Sequence, residues 1–285
     1  MEDYKVRKSV YNGSFYKSEF SQLNKQIENC FLHEIGPGKI PMTNFSGKRN
    51  IRGLICPHAG YIYSGPVAAH GFYQMALDGK PDTVVIIGPN HRGFGEDISL
   101  MSSGKWSSPL GELEIDNILA KRILKNSKLI KEDSRAHKYE HSIEVQIPFI
   151  QYIFGSNIKI VPISMSKQDL NSDILVANAI ISSISDDNIV ILASSDFTHY
   201  KSQECAHNID HQAINAILDF NPKKLYEYIY QQKLTMCGPG AITTMLITCK
   251  AIGADKGRLL KYATSGDISK MYDKVVGYAS IMVSK

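Results

Sequence analysis

The sequence predicts an α/β fold: a single domain spanning residues 1–285, with a mostly parallel central sheet and helices on both faces. Three observations carry that expectation. Continuous apolar runs at Thr83–Gly88 (T-V-V-I-I-G) and Asn188–Ala193 (N-I-V-I-L-A) do not alternate with polar residues, as strands buried on both faces require. Segments of helical periodicity separate the apolar runs. The strands end in turns that carry titratable side chains, where open α/β sheets place their ligands.

The stretch Ile51–Gly65 (I-R-G-L-I-C-P-H-A-G-Y-I-Y-S-G) sets the pattern. It begins as a short strand, and Pro57 stops the ladder because it has no N–H to donate. His58 follows the strand end, and Pro66 is placed as a first-turn residue of the next helix, Pro66–Leu77. Before it, Ser18–Leu32 repeats Phe20, Leu23, Ile27 and Phe31 at helical spacing. Tyr11, Phe15 and Tyr16 are expected to pack on the domain surface. Gly36–Arg49 is a Gly/Pro-rich loop long enough for a functional role, covering the site among them. Further on, Asp97–Met101 is an expected strand, Trp106–Leu113 an exposed turn or hairpin and Ile118–Leu129 a helix. A helix is expected over His141–Phe154, with Pro148 disturbing its first turns, then a strand at Lys159–Ser164. Ser166 and Asp169 are spaced as a capping box for a helix to Ile184. Helices at Ala206–Leu218, Pro222–Gln231 and Ala241–Ala251 precede closing strands at Leu259–Ala263 and Val275–Val283.

Composition narrows the function classes. Hydrophobic residues make up 43% and charged residues 21%, which suits a globular chain with a sizeable core. The net charge of +4 comes without a dense Lys/Arg run, so a nucleic-acid footprint is not expected. The five cysteines form no C-x-x-C, so neither a disulfide framework nor a zinc ribbon is indicated. A reducing, cytoplasmic setting is expected, since no signal-peptide pattern opens the chain and no apolar run reaches the roughly 20 residues of a membrane span.

The chemistry-bearing residues recur in one setting. His58, His91 and the pair Asp196 and His199 each follow a buried-type strand, and parallel strands would bring them to one sheet edge. Cys237 precedes the helix at Ala241, where the macrodipole favours a thiolate. Thiolate and imidazole suit zinc, iron or copper. The bland alternatives are a hydrogen-bonded histidine and a cysteine acting as a small hydrophobe. His70 is expected to be structural. His207 and His211, spaced i, i+4, read first as a polar helix face. His137-Lys138-Tyr139-Glu140-His141 matches H-x-x-E-H, but that chemistry needs one continuous helix, which this stretch does not offer.

P-H-A-G-Y-I-Y-S-G at 57–65, G-P-N-H at 88–91, E-H-S-I-E at 140–144, S-S-D-F-T-H at 194–199 and C-G at 237–238 stand in the order seen in the MEMO family, which the chain resembles. Y-N-G-S-F-Y at 11–16 is similar to that family's G-S-W-Y start. The family is similar in fold to the catalytic subunit of class III extradiol ring-cleavage dioxygenases. The resemblance implies a metal pocket at one sheet edge, with His58, His91 and Cys237 as ligands of iron or copper, or of zinc. It implies His199 as acid/base with Asp196 beside it, and Glu140 and His141 as pocket wall or support. Those dioxygenases use two histidines and a carboxylate, whereas Cys237 would be a softer third ligand that can itself oxidise. Three functions follow as expectations: a metal-dependent redox protein acting on a small molecule, a module binding a peptide or partner protein with the inherited pocket, and a hydrolase with Cys237 as nucleophile and His199 or His58 as base.

Overall fold

A computed structural model describes residues 6–46, 49–185 and 188–285. The first residues of the charged N-terminal stretch, and Gly47 and Lys48 of the Gly/Pro-rich loop, lie outside them. In chain order the first half comprises β1 (Val6–Arg7), α1 (Phe20–Leu32), β2 (Ile51–Cys56), α2 (Tyr61–Asp78), β3 (Thr83–Pro89), β4 (Ile98–Leu100), β5 (Lys105–Ser108), β6 (Gly111–Ile115), α3 (Asn117–Lys125) and β7 (Lys131–Glu132). The second half comprises α4 (Ile147–Phe154), β8 (Lys159–Met165), α5 (Leu170–Ile181), β9 (Ile189–Ser194), β10 (His199–Lys201), α6 (Gln203–Leu218), α7 (Pro222–Gln232), α8 (Pro239–Ala251), β11 (Lys256–Thr264), α9 (Ser265–Ser269) and β12 (Val275–Ser284).

Five neighbouring strands, in the order β6-β8-β3-β9-β2, run parallel. Antiparallel strands extend both sides: β12 and then β11 beyond β2, and β5 beyond β6. The register matters for the site. Cys56 pairs with Ser194, so His58 and Asp196 each stand two residues beyond a matched strand end. β3 lies on the other side of β9 and delivers His91 to the same edge.

Alternating side chains of β2 meet helices on opposite faces. The α-carbon of Gly53 faces Met245 and Cys249 of α8, whereas Leu54 and Cys56 lie against Gly71 of α2. Leu54, Ile86, Val190 and Leu192 are fully buried, each contributing roughly 1.5–3 kcal/mol of burial.

Several local expectations change. α2 begins at Tyr61, so Pro66 lies inside the helix rather than in its first turn. The bond it forgoes is to Ile62, at the exposed start of the helix. The 105–115 hairpin is not an exposed one: Trp106 and Leu113 are buried, and the Arg7 guanidinium lies 4.6 Å over the Trp106 ring. Asp169, not Ser166, caps α5, accepting from the Ser172 N–H at 3.0 Å, because Ser166 is tied to the Asp97 carbonyl. Helix α4 starts only at Ile147, after a 3-10 turn over Glu144–Gln146. The preceding residues Glu140 and Ser142 are engaged by the strand ends instead. Tyr11 and Tyr16 are buried rather than on the surface. Residues 36–46 of the Gly/Pro-rich loop tie to the end of α2, Asn44 N–H to Ala76 carbonyl at 2.8 Å, away from the edge that carries His58. No helix among the described residues is long and apolar enough to cross a membrane.

Candidate metal centre

The ends of β2, β3 and β9 bring His58, His91 and Cys237 together: one ligand atom from each lies within 4.8 Å of the others. His58 is buried. Its backbone N–H donates to Asp196 Oδ1 at 2.8 Å, its Nδ1 faces Ser194 Oγ at 2.9 Å, and its Nε2 faces Cys237 Sγ at 3.1 Å. Burial, then the nearby His91, push the His58 imidazole well below its ordinary pKa, so the ring is neutral.

His91 is half-open to solvent and is held by Glu140. The carboxylate accepts the His91 backbone N–H at 2.6 Å and faces Nδ1 at 2.9 Å. Glu140 also accepts the backbone N–H groups of His141 and Ser142, both at 2.9 Å. Burial alone would raise its pKa, but the hydrogen bond and charge of His91, the charge of His141 and the backbone donors outweigh it and hold the carboxyl at about 2. A carboxylate facing Nδ1 is the arrangement that orients metal-bound histidines. The His141 ring stacks on His91, centroids 4.6 Å apart, and meets His58 edge-on at 5.3 Å. Burial, followed by the charge of His58, lowers its pKa to about 3.

Cys237 reaches the cluster because residue 238 is glycine. A Cβ there would sit 2.6 Å from the Ser194 carbonyl and 2.8 Å from Ser195 Cβ, so only glycine lets this loop press on the end of β9. The Cys237 sulfur accepts the Asp196 N–H at 3.1 Å. Burial pushes the thiol pKa up, and the Asp196 charge pushes the same way, whereas the hydrogen bonds from the Asp196 N–H and the Ser195 hydroxyl lower it.

The Asp196–His199 pairing also differs from expectation. Asp196 grips the backbone of His58, and burial raises its own pKa. His199 is oriented by Thr235 instead, its Nδ1 2.8 Å from the Thr235 carbonyl and its backbone N–H 2.7 Å from Thr235 Oγ1. A carbonyl only accepts, so this contact places a hydrogen on Nδ1 and leaves the other ring nitrogen available.

The family model for Memo-like proteins matches residues 7–282. The chain belongs to this family. It is 43% identical to a MEMO1 family protein of Methanopyrus kandleri over 97% of this chain and 98% of that one. It is 46% identical to one of Sulfurisphaera tokodaii with the same coverage, and 41% identical to one of Nitrosopumilus maritimus, again over 97% and 98%. An uncharacterized protein of Escherichia coli K12 has a similar fold, with a TM-score of 0.53 at 14% identity, covering 82% of this chain and 99% of that one.

Within this Memo-like chain, two parts of the site lie outside what the sequence reading assigned. Glu144 closes the E-H-S-I-E block and anchors the N-terminal segment, accepting from the Val10 and Tyr11 N–H groups, the Tyr16 hydroxyl at 2.7 Å and Arg7. That segment sets Phe15 against His141 at 4.8 Å between centroids, forming an aromatic wall. Ser194, inside S-S-D-F-T-H, supports His58. By contrast His137, the first histidine of H-x-x-E-H, is fully buried against Trp106 in a 3-10 turn, away from His141.

Proposed function

We propose that this Memo-family protein is a metal-dependent redox protein that holds iron or copper through His58 Nε2, His91 Nε2 and Cys237 Sγ. The convergence of those donor atoms within 4.8 Å carries the reading. Two imidazoles and a sulfur form a donor set suited to soft or borderline metals, zinc included. A bound iron or copper would supply one-electron chemistry to a small-molecule substrate. The chain's own residues do the rest. Glu140 orients His91, Asp196 fixes the His58 backbone, and His199, with Nδ1 held by Thr235, carries a proton at its other ring nitrogen. Phe15 and His141 keep water from one side of the site.

Purification without oxygen or added metal, followed by mass-spectrometric metal analysis beside Cys237→Ala, tests this. Near-stoichiometric iron or copper, lost in the variant, supports it. Zinc at that stoichiometry would move the reading to hydrolysis or structure. A folded protein that takes up no metal on reconstitution would overturn it.

A second reading, a peptide- or protein-binding module, is favoured by an exposed rim. Ile62 and Tyr63, at the start of α2 just after His58, and Tyr200, next to His199, are 67%, 41% and 73% exposed. A pulldown whose partner is lost on replacing Tyr200 or Tyr63, but kept in His91→Ala, would favour it. The thiol-nucleophile reading is weakened by burial, which keeps Cys237 protonated.

A further inference from the structure

We infer that Ser194 is a positioning residue that fixes His58 in one tautomer, with the proton on Nδ1 and a lone pair on Nε2. The inference comes from counting donors and acceptors around a single hydroxyl.

Ser194 Oγ lies at the end of β9, fully buried, and meets three polar groups. The Ser142 carbonyl is 2.6 Å away, Gln146 Nε2 is 2.9 Å away and His58 Nδ1 is 2.9 Å away. The polarity of the first two is fixed. A carbonyl only accepts, so it takes the one proton the hydroxyl owns. The Gln146 amide is oriented by its second contact, the Pro57 carbonyl at 3.0 Å, which the NH2 group alone can satisfy. Gln146 therefore donates to Ser194 and occupies one of its lone pairs. The remaining lone pair faces His58, and that contact is a hydrogen bond only if Nδ1 carries the proton. The His58 Nε2 lone pair then points at Cys237 Sγ, 3.1 Å away, where a thiol proton or a cation completes the contact.

Every member of this network is buried: Ser142, Gln146, Ser194 and His58 are each at most 2% exposed. Water is thus a poor substitute for a missing partner, and a hydroxyl pointed the other way would leave the Ser142 carbonyl unpaired. Neither Ser194 nor Gln146 is a ligand. Both act through His58, as outer partners of metal-bound histidines do.

The tautomer itself does not depend on the metal-centre reading; only its consequence for affinity does. Long-range 1H–15N spectra of the metal-free protein, labelled on histidine, report it, with His58→Gln assigning the signal. The wild type is expected to show His58 protonated on Nδ1. In Ser194→Ala the Nε2–H form should gain population, and zinc affinity should fall about ten- to a hundredfold. Ser194→Thr keeps the hydroxyl and should restore both. Gln146→Met, of similar size, should lower affinity by a smaller factor. A merely structural serine would change thermal stability while leaving the tautomer alone. Wild-type His58 protonated on Nε2 overturns the inference without any variant. So does a folded Ser194→Ala protein with wild-type tautomer and zinc affinity. If the wild type binds no zinc, iron or copper, the metal-centre reading fails, and the tautomer still decides this one.

Discussion

The chain holds two histidine groups that look alike by residue type and differ in what their ring nitrogens meet. His207 and His211 stand one turn apart on α6, the spacing that helical metal sites use. Yet the His211 Nδ1 is 2.8 Å from the His207 carbonyl, and both rings lie on Tyr262, at 4.9 and 4.8 Å. The Tyr262 hydroxyl in turn donates to Asp210. His58 and His91 are far apart in sequence, but each has a partner on Nδ1, Ser194 or Glu140, and one ligand atom of each lies within 4.8 Å of the other and of Cys237. Among the described residues the clusters able to hold a metal form only at the strand ends. Spacing along a helix is therefore the weaker predictor here. Converging strands bring together the donor atoms that could hold a metal.

That comparison can be broken. The largest effect is expected from His91→Ala and Cys237→Ala, which should abolish metal uptake, while His207→Ala and His211→Ala retain it; metal analysis after reconstitution checks all four. Next is Gly238→Ala. Its Cβ meets backbone and Cβ atoms at the end of β9, so the loop must move and take Cys237 with it. Denaturant unfolding should show a loss of about 1–3 kcal/mol, with weakened metal binding. Glu140→Gln keeps shape but not charge, and should weaken metal binding about ten- to a hundredfold by loosening His91.

pH sharpens the contrast between regions. Burial holds His137 and His141 at about 3 in the fold, against 6.5 for free imidazole. Between these values the unfolded chain binds more protons, so metal-free stability should fall as pH drops below about 6.5. Asp173 acts in the opposite sense. Burial between α5 and α7 pushes it up to about 7, even though it accepts from the Tyr226 hydroxyl. Its folded form keeps a proton the unfolded form has lost, so stability is lost as pH rises from 3.8 towards 7. Asp173→Asn should flatten that upper limb in melts across pH. The smallest effect belongs to His211→Ala on stability, under about 1 kcal/mol, as for other exposed helix positions.

Much of this was legible in the sequence. Unbroken apolar runs announced the buried parallel strands, and the residue after each run announced the edge where His58, His91 and Asp196 meet. The motifs P-H-A-G-Y and S-S-D-F marked the family. What stayed hidden depends on distant partners. Nothing near Glu144 in sequence says that it receives Tyr16 and Arg7, and nothing near Ser194 says that Ser142 and Gln146 set its polarity. The setting of Cys237 was hidden for a similar reason: a helix start favours a thiolate, and so do the Asp196 N–H and Ser195 hydroxyl on the sulfur, but burial and the Asp196 charge push the pKa the other way, and burial is a tertiary property. Pro66 and Ser166 misled locally, because tertiary contacts of Tyr61 and Asp97 decide where α2 and α5 begin.

His58, His91 and Cys237 are proposed to bind one metal ion together. Anaerobic titration with cobalt(II), a spectroscopic stand-in for the native ion, tests it most directly. A sulfur-to-cobalt charge-transfer band is expected to saturate at one equivalent, vanish in Cys237→Ala and survive in Cys249→Ala and His211→Ala. No band in the folded wild type, or a band that persists in Cys237→Ala, would contradict it.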